Sequence, residues 1–390
     1  MHFSTFPYTL LQQQTNIYKE NMKVEILVSN LLGKLSFLNH AISSKSQLPV
    51  LLNLLMETKD GKLRLSSTDL EIGVETYIPA TIIEEGGVTV PARTFIELIT
   101  SLSDTTVTMQ ASQNNLEVIS KKTKSVFQTM PMSDFPKLYD ERGELIAVME
   151  DRDLRRDFST VVFSASQDTT RPALSGVLVR REAGGFLLVA TDGFRLSLQH
   201  YKLSDTKVST QKSFIVPARV FRELLSIKEE KKDVEMYVAA GSNQILFQQG
   251  ETILVGRLIE AEFPNFEKII PSDFSLNVSF DREEMQKAVK ICSIFARDSA
   301  NIVKLHLKKD HITVSSNSPS VGENKVDVDA VLTGEENEIA FNVKYLLDLF
   351  SNLSENELVF EMIGPLNPGV FKIKGDASFL HLIMPIRTGQ

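Results

Sequence analysis

The sequence repeats itself at a long and regular interval, and this repetition limits the possible folds more than any other feature. Val90-Pro91-Ala92-Arg93 recurs as Val216-Pro217-Ala218-Arg219 about 125 residues further on, and a weaker copy begins at Phe341-Asn342-Val343. Thr68-Asp69 and Thr191-Asp192 keep nearly the same spacing. A single match could arise by chance, but an ordered series predicts three copies of one structural unit.

Each copy has the residue pattern of a mixed α+β domain. An amphipathic helix comes early, and a second helix is predicted after the Val-Pro pair or its equivalent. The early helices are predicted at Leu31–Ser43, Asp151–Ala165 and Asp281–Ala296. Alternating runs predict strands, for example at Gly185–Ala190, Gln244–Gln248 and Lys304–Ser315. Two helices and about eight strands in each copy predict an antiparallel sheet with helices on one face.

The repeat predicts three tandem domains with boundaries at 22–144, 145–272 and 273–390. Residues 1–21 carry no basic residue before their short apolar patch, so they do not read as a signal peptide. We expect them to be a disordered leader, or the product of a start codon upstream of the native one at Met22.

Composition excludes several classes of protein. Of the 390 residues 42% are apolar and 24% are charged, which excludes a disordered chain. The single cysteine, Cys292, cannot form an internal disulfide, so we expect a reducing, cytoplasmic location. No apolar run reaches the roughly 18 residues of a membrane span, which predicts a soluble protein. The net charge of -8 argues against tight wrapping of nucleic acid.

The sequence offers little support for an enzyme. It contains no phosphate-cradling glycine loop, no H-E-x-x-H pair and no G-x-S-x-G elbow. His306 and His311 are predicted to flank a hairpin, but without further His or Cys they make a poor zinc set. Cys292 lies on an apolar helix face, where packing is a commoner role than nucleophilic attack. We therefore predict no catalytic residue, no metal and no cofactor.

Six motifs occur in one collinear order between Met22 and the C-terminus. They are Leu48-Pro49-Val50-Leu51-Leu52-Asn53-Leu54-Leu55, the Val90-Pro91-Ala92-Arg93 helix, Asp134-Phe135-Pro136, Ala190-Thr191-Asp192-Gly193-Phe194-Arg195-Leu196, Phe341-Asn342-Val343-Lys344-Tyr345 and Met384-Pro385-Ile386-Arg387. Together they resemble the bacterial β sliding clamps, the family of processivity subunits of DNA polymerase III. The resemblance implies three similar domains in each chain and a head-to-tail homodimer that forms a ring. In this ring, helices line a central hole and antiparallel sheets lie outside.

The resemblance also implies a function and a set of partners. A sliding clamp encircles duplex DNA without sequence preference and confers processivity by tethering the polymerase III catalytic subunit. The clamp loader, other polymerases and repair factors are further implied partners, which attach through short peptide motifs. A protein that slides should make few fixed phosphate contacts, so a negative net charge fits this role. The alternative is a peptide-binding scaffold of the same architecture that does not act on DNA, and ring closure on DNA would distinguish the two.

Basic residues on the predicted helices and loops are candidates for a surface that faces DNA. They are Lys34, Lys45, Arg152, Arg156, Arg171, Lys287 and Lys290. Arg152 and Arg156 repeat at i, i+4 away from the apolar stripe, whereas Lys45 and Arg171 occupy positions that contact DNA in the family. Surface helices carry Lys and Arg routinely, however, and acidic neighbours such as Asp153 keep that simpler interpretation open.

The family's partner-binding cleft lies between domains two and three. Carried over position by position, its walls would be Leu174, Thr191, Gly193, Phe194, Arg195, Leu196, Pro264, Lys268, Ile269, Asn342, Tyr345, Pro368, Leu382, Met384, Pro385, Ile386 and Arg387. Their apolar side chains would form a groove, and the polar ones Arg195, Asn342 and Arg387 would hold peptide backbone or carboxylate.

Other interpretations of the cleft residues stay open at this point. Leu196, Ile269 and Leu382 alternate in predicted strands, where core packing is commoner, and Thr191-Asp192-Gly193 is equally a turn. Phe194 stands where many relatives of the family carry His, and Thr388-Gly389-Gln390 extends past the last motif, which affects the expected peptide preference.

The ring joint is predicted at the end of the third early helix. Ile294 and Phe295 resemble the family's apolar contact with the first domain of the partner. The partner's side would be an edge strand near Lys121–Phe127.

Overall fold

The computed structural model describes residues 21–43, 45–112, 114–203, 213–227 and 232–387. The predicted leader, apart from residue 21, and the tail Thr388-Gly389-Gln390 lie outside the described residues. The chain divides into two compact units, residues 1–138 and residues 139–390. The first unit holds the first repeat, and the second unit holds the other two.

Among its described residues, the first unit has nine strands and two helices. In chain order they are β1 (Met22–Leu27), α1 (Val28–Leu38), β2 (Asn53–Lys59), β3 (Lys62–Thr68), β4 (Ile72–Ile78), β5 (Thr81–Glu84), β6 (Gly87–Pro91), α2 (Ala92–Ser101), β7 (Thr106–Ser112), β8 (Asn115–Ile119) and β9 (Lys124–Gln128). Antiparallel pairing places five of the strands in the order β5-β1-β7-β8-β9 and the other four in the order β4-β3-β2-β6. β9 therefore ends the five-stranded sheet.

The first helix differs from its prediction at both ends. It was predicted at Leu31–Ser43, but α1 begins at Val28 and ends at Leu38. The amide of Val28 donates to the carbonyl of Thr105 at 2.9 Å, so the backbone passes from sheet to helix without a loop. After α1 the chain tightens into a short 3₁₀ turn over Asn39–Ala41, which explains the early end.

The second repeat opens the second unit. Its elements are β10 (Glu144–Met149), α3 (Asp151–Val162), β11 (Gly176–Glu182), β12 (Gly185–Thr191), β13 (Arg195–Lys202), β14 (Ser213–Pro217), α4 (Ala218–Ser226), β15 (Val234–Ala239), β16 (Gln244–Gln249) and β17 (Thr252–Arg257). The α3 helix ends three residues earlier than predicted, and the predicted strands β12 and β16 form within one residue of their expected bounds.

The third repeat has the same order of elements. They are β18 (Leu276–Asp281), α5 (Arg282–Ala296), β19 (Ile302–Leu307), β20 (His311–Ser318), β21 (Gly322–Gly334), β22 (Asn337–Asn342), α6 (Val343–Ser351), β23 (Glu357–Met362), β24 (Gly369–Ile373) and β25 (Asp376–Ile383). The predicted run at Lys304–Ser315 becomes the hairpin β19–β20. The long strand β21 replaces two strands of the first repeat, since it pairs with β20 up to Asp329 and with β18 from Ala330 onwards.

One sheet joins the second and third repeats. Its order is β14-β11-β12-β13-β25-β24-β23-β18-β21-β20-β19-β22, all antiparallel, while β10-β15-β16-β17 run side by side in that order. The joint is the ladder between β13 and β25, in which Arg195 faces Ile383 and Gln199 faces Phe379. Hydrogen bonds between backbones therefore make two repeats into one unit.

The helices of the second unit pack on the sheets through apolar faces and are tied in pairs by arginines. On α3, Arg155 donates to the carbonyls of Leu225 and Ile227. Leu225 lies in the last turn of α4, and Ile227 directly follows the helix. On α5, Arg282 donates to the carbonyl of Phe350 in the last turn of α6 at 3.1 Å. These contacts satisfy carbonyl groups that a helix end leaves without partners.

The α+β class with three tandem, similar domains is confirmed. As predicted, α2 and α4 begin directly after the two Val-Pro pairs, because Pro91 and Pro217 end their strands and serve as N-caps of these helices. In the third repeat Asn342 takes this position, and its Oδ1 accepts a hydrogen bond from the amide of Lys344.

Replacement of Phe221 by Ala tests the core of the second repeat. Phe221 is fully buried, with its ring centroid 5.0 Å from that of Phe158 and 5.7 Å from that of Phe247. We expect Phe221→Ala to lower the free energy of unfolding by about 3–5 kcal/mol, because it leaves a cavity. Phe194→Ala is the control, since Phe194 is 59% exposed. This variant should change the free energy of unfolding by less than about 0.5 kcal/mol. Equal thermal midpoints for the two variants would contradict this assignment.

Candidate functional site

The ladder between β13 and β25 forms the floor of the predicted cleft. Leu196 lies opposite Leu382 in this ladder, and Arg195 lies opposite Ile383. Because side chains alternate along a strand, Leu196 and Leu382 share one face of the sheet and Arg195 points to the other. Both leucines are buried in a cluster with Val370. They underlie the site and are not exposed walls.

Exposed side chains of the predicted set lie on the segments that flank this floor. Ile269 is 45% exposed, Met384 is 39% exposed and Phe194 is 59% exposed. Pro264, Lys268, Gly193 and Arg387 are also exposed, whereas Leu174, Asn342, Tyr345, Pro368, Pro385 and Ile386 are half-buried. The structure thus leaves an apolar rim available to a ligand on several segments of the second unit.

Two backbone hydrogen bonds fix the last segment of the site. The amide of Met384 donates to the carbonyl of Phe194 at 2.8 Å, and the amide of Ile386 donates to the carbonyl of Ala340 at 2.8 Å. The C-terminal motif is therefore held both to the loop before β13 and to β22. Asn342 is partly committed, because its Oδ1 caps α6.

The Thr191-Asp192-Gly193 segment is a turn, as the alternative interpretation expected. Asp192 Oδ1 accepts from the amides of Phe194 and Arg195 at 2.9 and 3.0 Å, and Thr191 Oγ1 donates to the carbonyl of Arg195. Asp69 accepts two amides in the same way in the first repeat. Gly193 has a φ of 94°, which favours glycine at this position. The turn presents Phe194 to solvent.

Arg195 is committed to partners within the protein. Its Nε donates to Asp192 Oδ2 at 3.1 Å, its Nη1 to Asp348 Oδ2 at 2.7 Å and its Nη2 to the carbonyl of Phe163 at 3.0 Å. The residue is only 7% exposed. A direct bond to a peptide carboxylate, which the sequence analysis suggested for Arg195, would have to replace one of these contacts.

Aromatic rings cover the Arg195 guanidinium. Its central carbon lies 4.8 Å from the centroid of Tyr345 and 5.4 Å from that of Phe163. Burial raises the pKa of Tyr345, the carboxylate of Asp192 acts in the same direction, Arg195 opposes it, and Asp348 raises it further. The cation and its carboxylates therefore set the electrostatics around this ring.

A buried polar chain lies beside this cluster and left no signal in the sequence. His381 Nδ1 lies 2.7 Å from Ser197 Oγ, which is 2.8 Å from Ser164 Oγ. Burial, and to a lesser degree Arg195, hold the pKa of His381 well below its ordinary value, so the imidazole is neutral. The β13–β25 ladder pairs Ser197 with His381, and the packing of α3 on β13 brings Ser164 to them. No local pattern in the sequence predicts either contact.

A cavity of about 620 Å³ opens beside β14 and overlaps little with the predicted cleft. Its lining includes Phe214, Asn243, Ile259 and Phe263. Pro264 is the member of the predicted cleft that it shares.

The candidate DNA-facing residues all lie on helices or on loops near them. Lys34 is half-buried on α1, Arg152 is exposed on α3, Lys287 and Lys290 are exposed on α5, and Lys45 and Arg171 are exposed in loops. Arg156, also on α3, pairs with Asp153 at 3.1 Å and with Asp157 at 2.7 Å. Its charge is therefore largely neutralised within the helix, and Arg152 is the freer cation of the two on α3.

The predicted ring joint corresponds to exposed surfaces in both units. In the second unit Ile294 is 56% exposed and Phe295 is half-buried, both near the end of α5. In the same unit, Gly322–Asp329 of β21 pairs with β20 and, among the described residues, has no strand on its other side. In the first unit the predicted edge near Lys121–Phe127 is β9, which ends its sheet.

One cluster of side chains has the Ser-His-Glu contacts of a hydrolase triad but lacks an amide that could stabilise an oxyanion. His306 Nδ1 lies 3.0 Å from Glu338 Oε2, and its Nε2 lies 3.0 Å from Ser315 Oγ. Ser315, however, pairs with Lys304 on one side and Lys325 on the other, so its amide belongs to the sheet and cannot stabilise an oxyanion. In the part of the chain that the structure describes, no group of three or more His, Cys, Asp or Glu could hold a metal.

Cys292 is a packing residue. Its side chain is buried on α5, where Sγ contacts the carbonyl of Val314 at 3.3 Å. Burial raises the pKa of the thiol to about 11, the opposite of what a nucleophile needs. None of the described helices is long and apolar enough to cross a membrane.

The chain is similar to known proteins along most of its length. Family models of the DNA polymerase III beta subunit match residues 22–139 as its N-terminal domain, 148–265 as its central domain and 267–387 as its C-terminal domain. The beta sliding clamp of Staphylococcus aureus is 30% identical over 360 residues, which cover 89% of this chain and 94% of that protein.

Solved structures give the same result. The crystal structure of the sliding clamp from Bacillus subtilis is 27% identical, has a TM-score of 0.88 and covers 95% of this chain and 100% of that one. The clamp from Pseudomonas aeruginosa bound to griselimycin is 25% identical, has a TM-score of 0.87 and covers 94% of this chain and 100% of that one.

Replacement of Asp192 by Asn tests the electrostatics around Tyr345. Asn keeps an oxygen for the two turn amides but removes the negative charge that disfavours the phenolate. We expect the pKa of Tyr345 to fall toward the ordinary value of about 10. ¹³C-tyrosine NMR during a pH titration measures it, with Tyr345→Phe to assign the signal. Glu182→Gln, at the end of β11, should leave the pKa of Tyr345 unchanged. A higher pKa of Tyr345 in Asp192→Asn than in the wild type would contradict the role assigned to the Asp192 charge.

Proposed function

We propose that two copies of this chain, which belongs to the DNA polymerase III beta subunit family of DNA sliding clamps, close head to tail into a ring around duplex DNA. The ring tethers the replicative polymerase and confers processivity. Its domains extend over 22–144, 145–272 and 273–390, and its helices line the hole. It has no catalytic activity of its own and works in the cytoplasm.

The main support for the ring is a pair of open strand edges. They are equivalent to two strands that already pair with each other within the second unit. Within the second unit, β13 of the second repeat pairs with β25, the last strand of the third repeat. The equivalent of β13 in the third repeat is the first half of β21, and the equivalent of β25 in the first repeat is β9. Among the residues that the structure describes, both edges are open in their own units. The same antiparallel joint can therefore form between β21 of one copy and β9 of another.

Apolar side chains support this joint. Ile294 at the end of α5 is 56% exposed, and Val126 on β9 is 54% exposed. Exposed apolar residues beside an open edge are unfavourable in a monomer, so a partner that covers both is expected.

Encirclement explains how a chain with a net charge of -8 retains DNA. A closed ring holds the duplex by topology, so the inner surface needs only weak, screened attraction to phosphates. Lys34, Lys45, Arg152, Arg171, Lys287 and Lys290 supply it in this proposal. Arg156 contributes less, because two carboxylates hold it.

The rim above Leu196 and Leu382 is the proposed attachment site for partners. Phe194, Ile269 and Met384 offer exposed apolar contacts, and flexible Met suits a site that accepts several partners. The proposed partners are the polymerase III catalytic subunit, the clamp loader, other polymerases and repair factors. A related clamp binds griselimycin, and we propose that the same compound binds here. A scaffold that does not act on DNA has no observation in its favour.

Replacement of Ile294 by Asp tests the ring joint. A carboxylate in an apolar contact must be desolvated, so we expect the dimer to weaken by about 100-fold and native mass spectrometry to show monomer. Ile83→Asp is the matched control, because Ile83 is 53% exposed on β5, and it should stay dimeric. A dimer of undiminished stability in Ile294→Asp would contradict the joint.

Retention on DNA tests the function itself. With clamp loader and ATP, the wild type should remain bound to a nicked circular plasmid through gel filtration and should leave when the plasmid is linearised. Ile294→Asp should not be retained on either form. Equal retention on circular and linear DNA would contradict encirclement and favour ordinary surface binding.

Replacement of Met384 by Asp tests the attachment site. We expect the affinity for fluorescently labelled griselimycin to fall at least about tenfold, because the variant places a charge in the apolar rim. Fluorescence polarisation measures it, and Ile83→Asp should bind like the wild type. Unchanged binding by Met384→Asp would exclude Met384 from the site.

A further inference from the structure

We propose that Asp348, on α6, is a positioning residue for the partner cleft. Its carboxylate fixes the Arg195 guanidinium and, through it, the ring of Tyr345. The role rests on the partner-binding function proposed above, because it concerns the same cleft.

Arg195 is held by three anchors that come from different parts of the second unit. Asp192 belongs to the turn before β13, the Phe163 carbonyl follows the last turn of α3, and Asp348 belongs to the third repeat. The bond to Asp348 is the shortest of the three at 2.7 Å and, like the bond to Asp192, it joins two full charges. Asp348 is therefore the anchor that ties the cation to the third repeat.

Asp348 also acts on the face of α6 that carries Tyr345. The two residues are three positions apart on one helix, so their side chains lie on the same face. The guanidinium that Asp348 holds lies 4.8 Å from the centre of the Tyr345 ring. Tyr345 is half-buried and open to a ligand, whereas Arg195 is 7% exposed. Asp348 thus affects the cleft through the position of the Tyr345 ring and not by direct contact with a ligand.

Loss of the Asp348 charge should shift the cation without unfolding the chain. Arg195 would keep Asp192 and the Phe163 carbonyl, so its buried charge would still have a carboxylate partner. The guanidinium would be drawn toward Asp192 on the turn and away from α6. The Tyr345 ring would then lose the cation that holds it, and the part of the cleft that Tyr345 forms would be less ordered.

Three variants in the full-length chain separate these effects. Asp348→Asn keeps the shape and removes the charge, Asp348→Glu restores a carboxylate, and Glu182→Gln is a matched control. Glu182 also pairs with an arginine, and its side chain is 31% exposed against 32% for Asp348. The probe is fluorescently labelled griselimycin, read by polarisation, and each variant's thermal midpoint is measured alongside.

We expect Asp348→Asn to bind griselimycin about tenfold more weakly, within the range of couplings inside one charge network. Asp348→Glu should recover most of the affinity, and Glu182→Gln should bind like the wild type. Equal binding by wild type and Asp348→Asn would overturn the positioning role, and so would a Glu variant as weak as the Asn variant. Loss of the folded state in Asp348→Asn would overturn it as well, because Arg195 keeps two of its three anchors.

Failure of the proposed function gives a different result. If the wild type itself did not bind griselimycin, the attachment site would be wrong and the role of Asp348 would fall with it. If the wild type bound griselimycin and Asp348→Asn bound it equally well, the attachment site would stand and only the positioning role would be wrong.

Discussion

Backbone hydrogen bonding across the boundary between repeats is the interaction on which the rest of this structure depends. A sheet that ends in an open strand leaves amides and carbonyls without partners, and antiparallel pairing with the next repeat satisfies them. In the second unit β13 and β25 pair in this way and merge two repeats into one twelve-stranded sheet. The proposed ring applies the same requirement to β9 of one chain and β21 of a second chain.

The ladder also explains why the proposed binding site lies at this boundary. It sets Leu196 opposite Leu382 as a buried floor and brings the turn that carries Phe194 against the segment of Met384. Residues from two repeats meet there at a register fixed by the backbone. The sheet therefore supplies the floor of the site and fixes the positions of the turn and the C-terminal segment that carry its rim.

The sequence predicts the features that local patterns carry. The repeat predicts three α+β domains, and the helical periodicity predicts α3 and α5. The recurrence of Thr68-Asp69 as Thr191-Asp192 predicts the turn before β13. Contacts between distant residues leave no such pattern. Arg195 and Asp348 lie 153 positions apart, so the sequence suggested a ligand-binding role for an arginine that the fold holds internally. The helix-capping role of Arg155 likewise leaves no local pattern, because it depends on where α4 ends.

Hydrogen exchange at the strand edges tests most directly whether β9 and β21 close on each other. The outward-pointing amides of β9 and of the first half of β21 should exchange slowly in the wild-type dimer, because each would donate to the other chain. In Ile294→Asp, as monomer, both sets should exchange fast while the amides of the β13–β25 ladder remain protected. Fast exchange at both edges in a stable wild-type dimer would contradict the account, since the two chains would then be joined elsewhere.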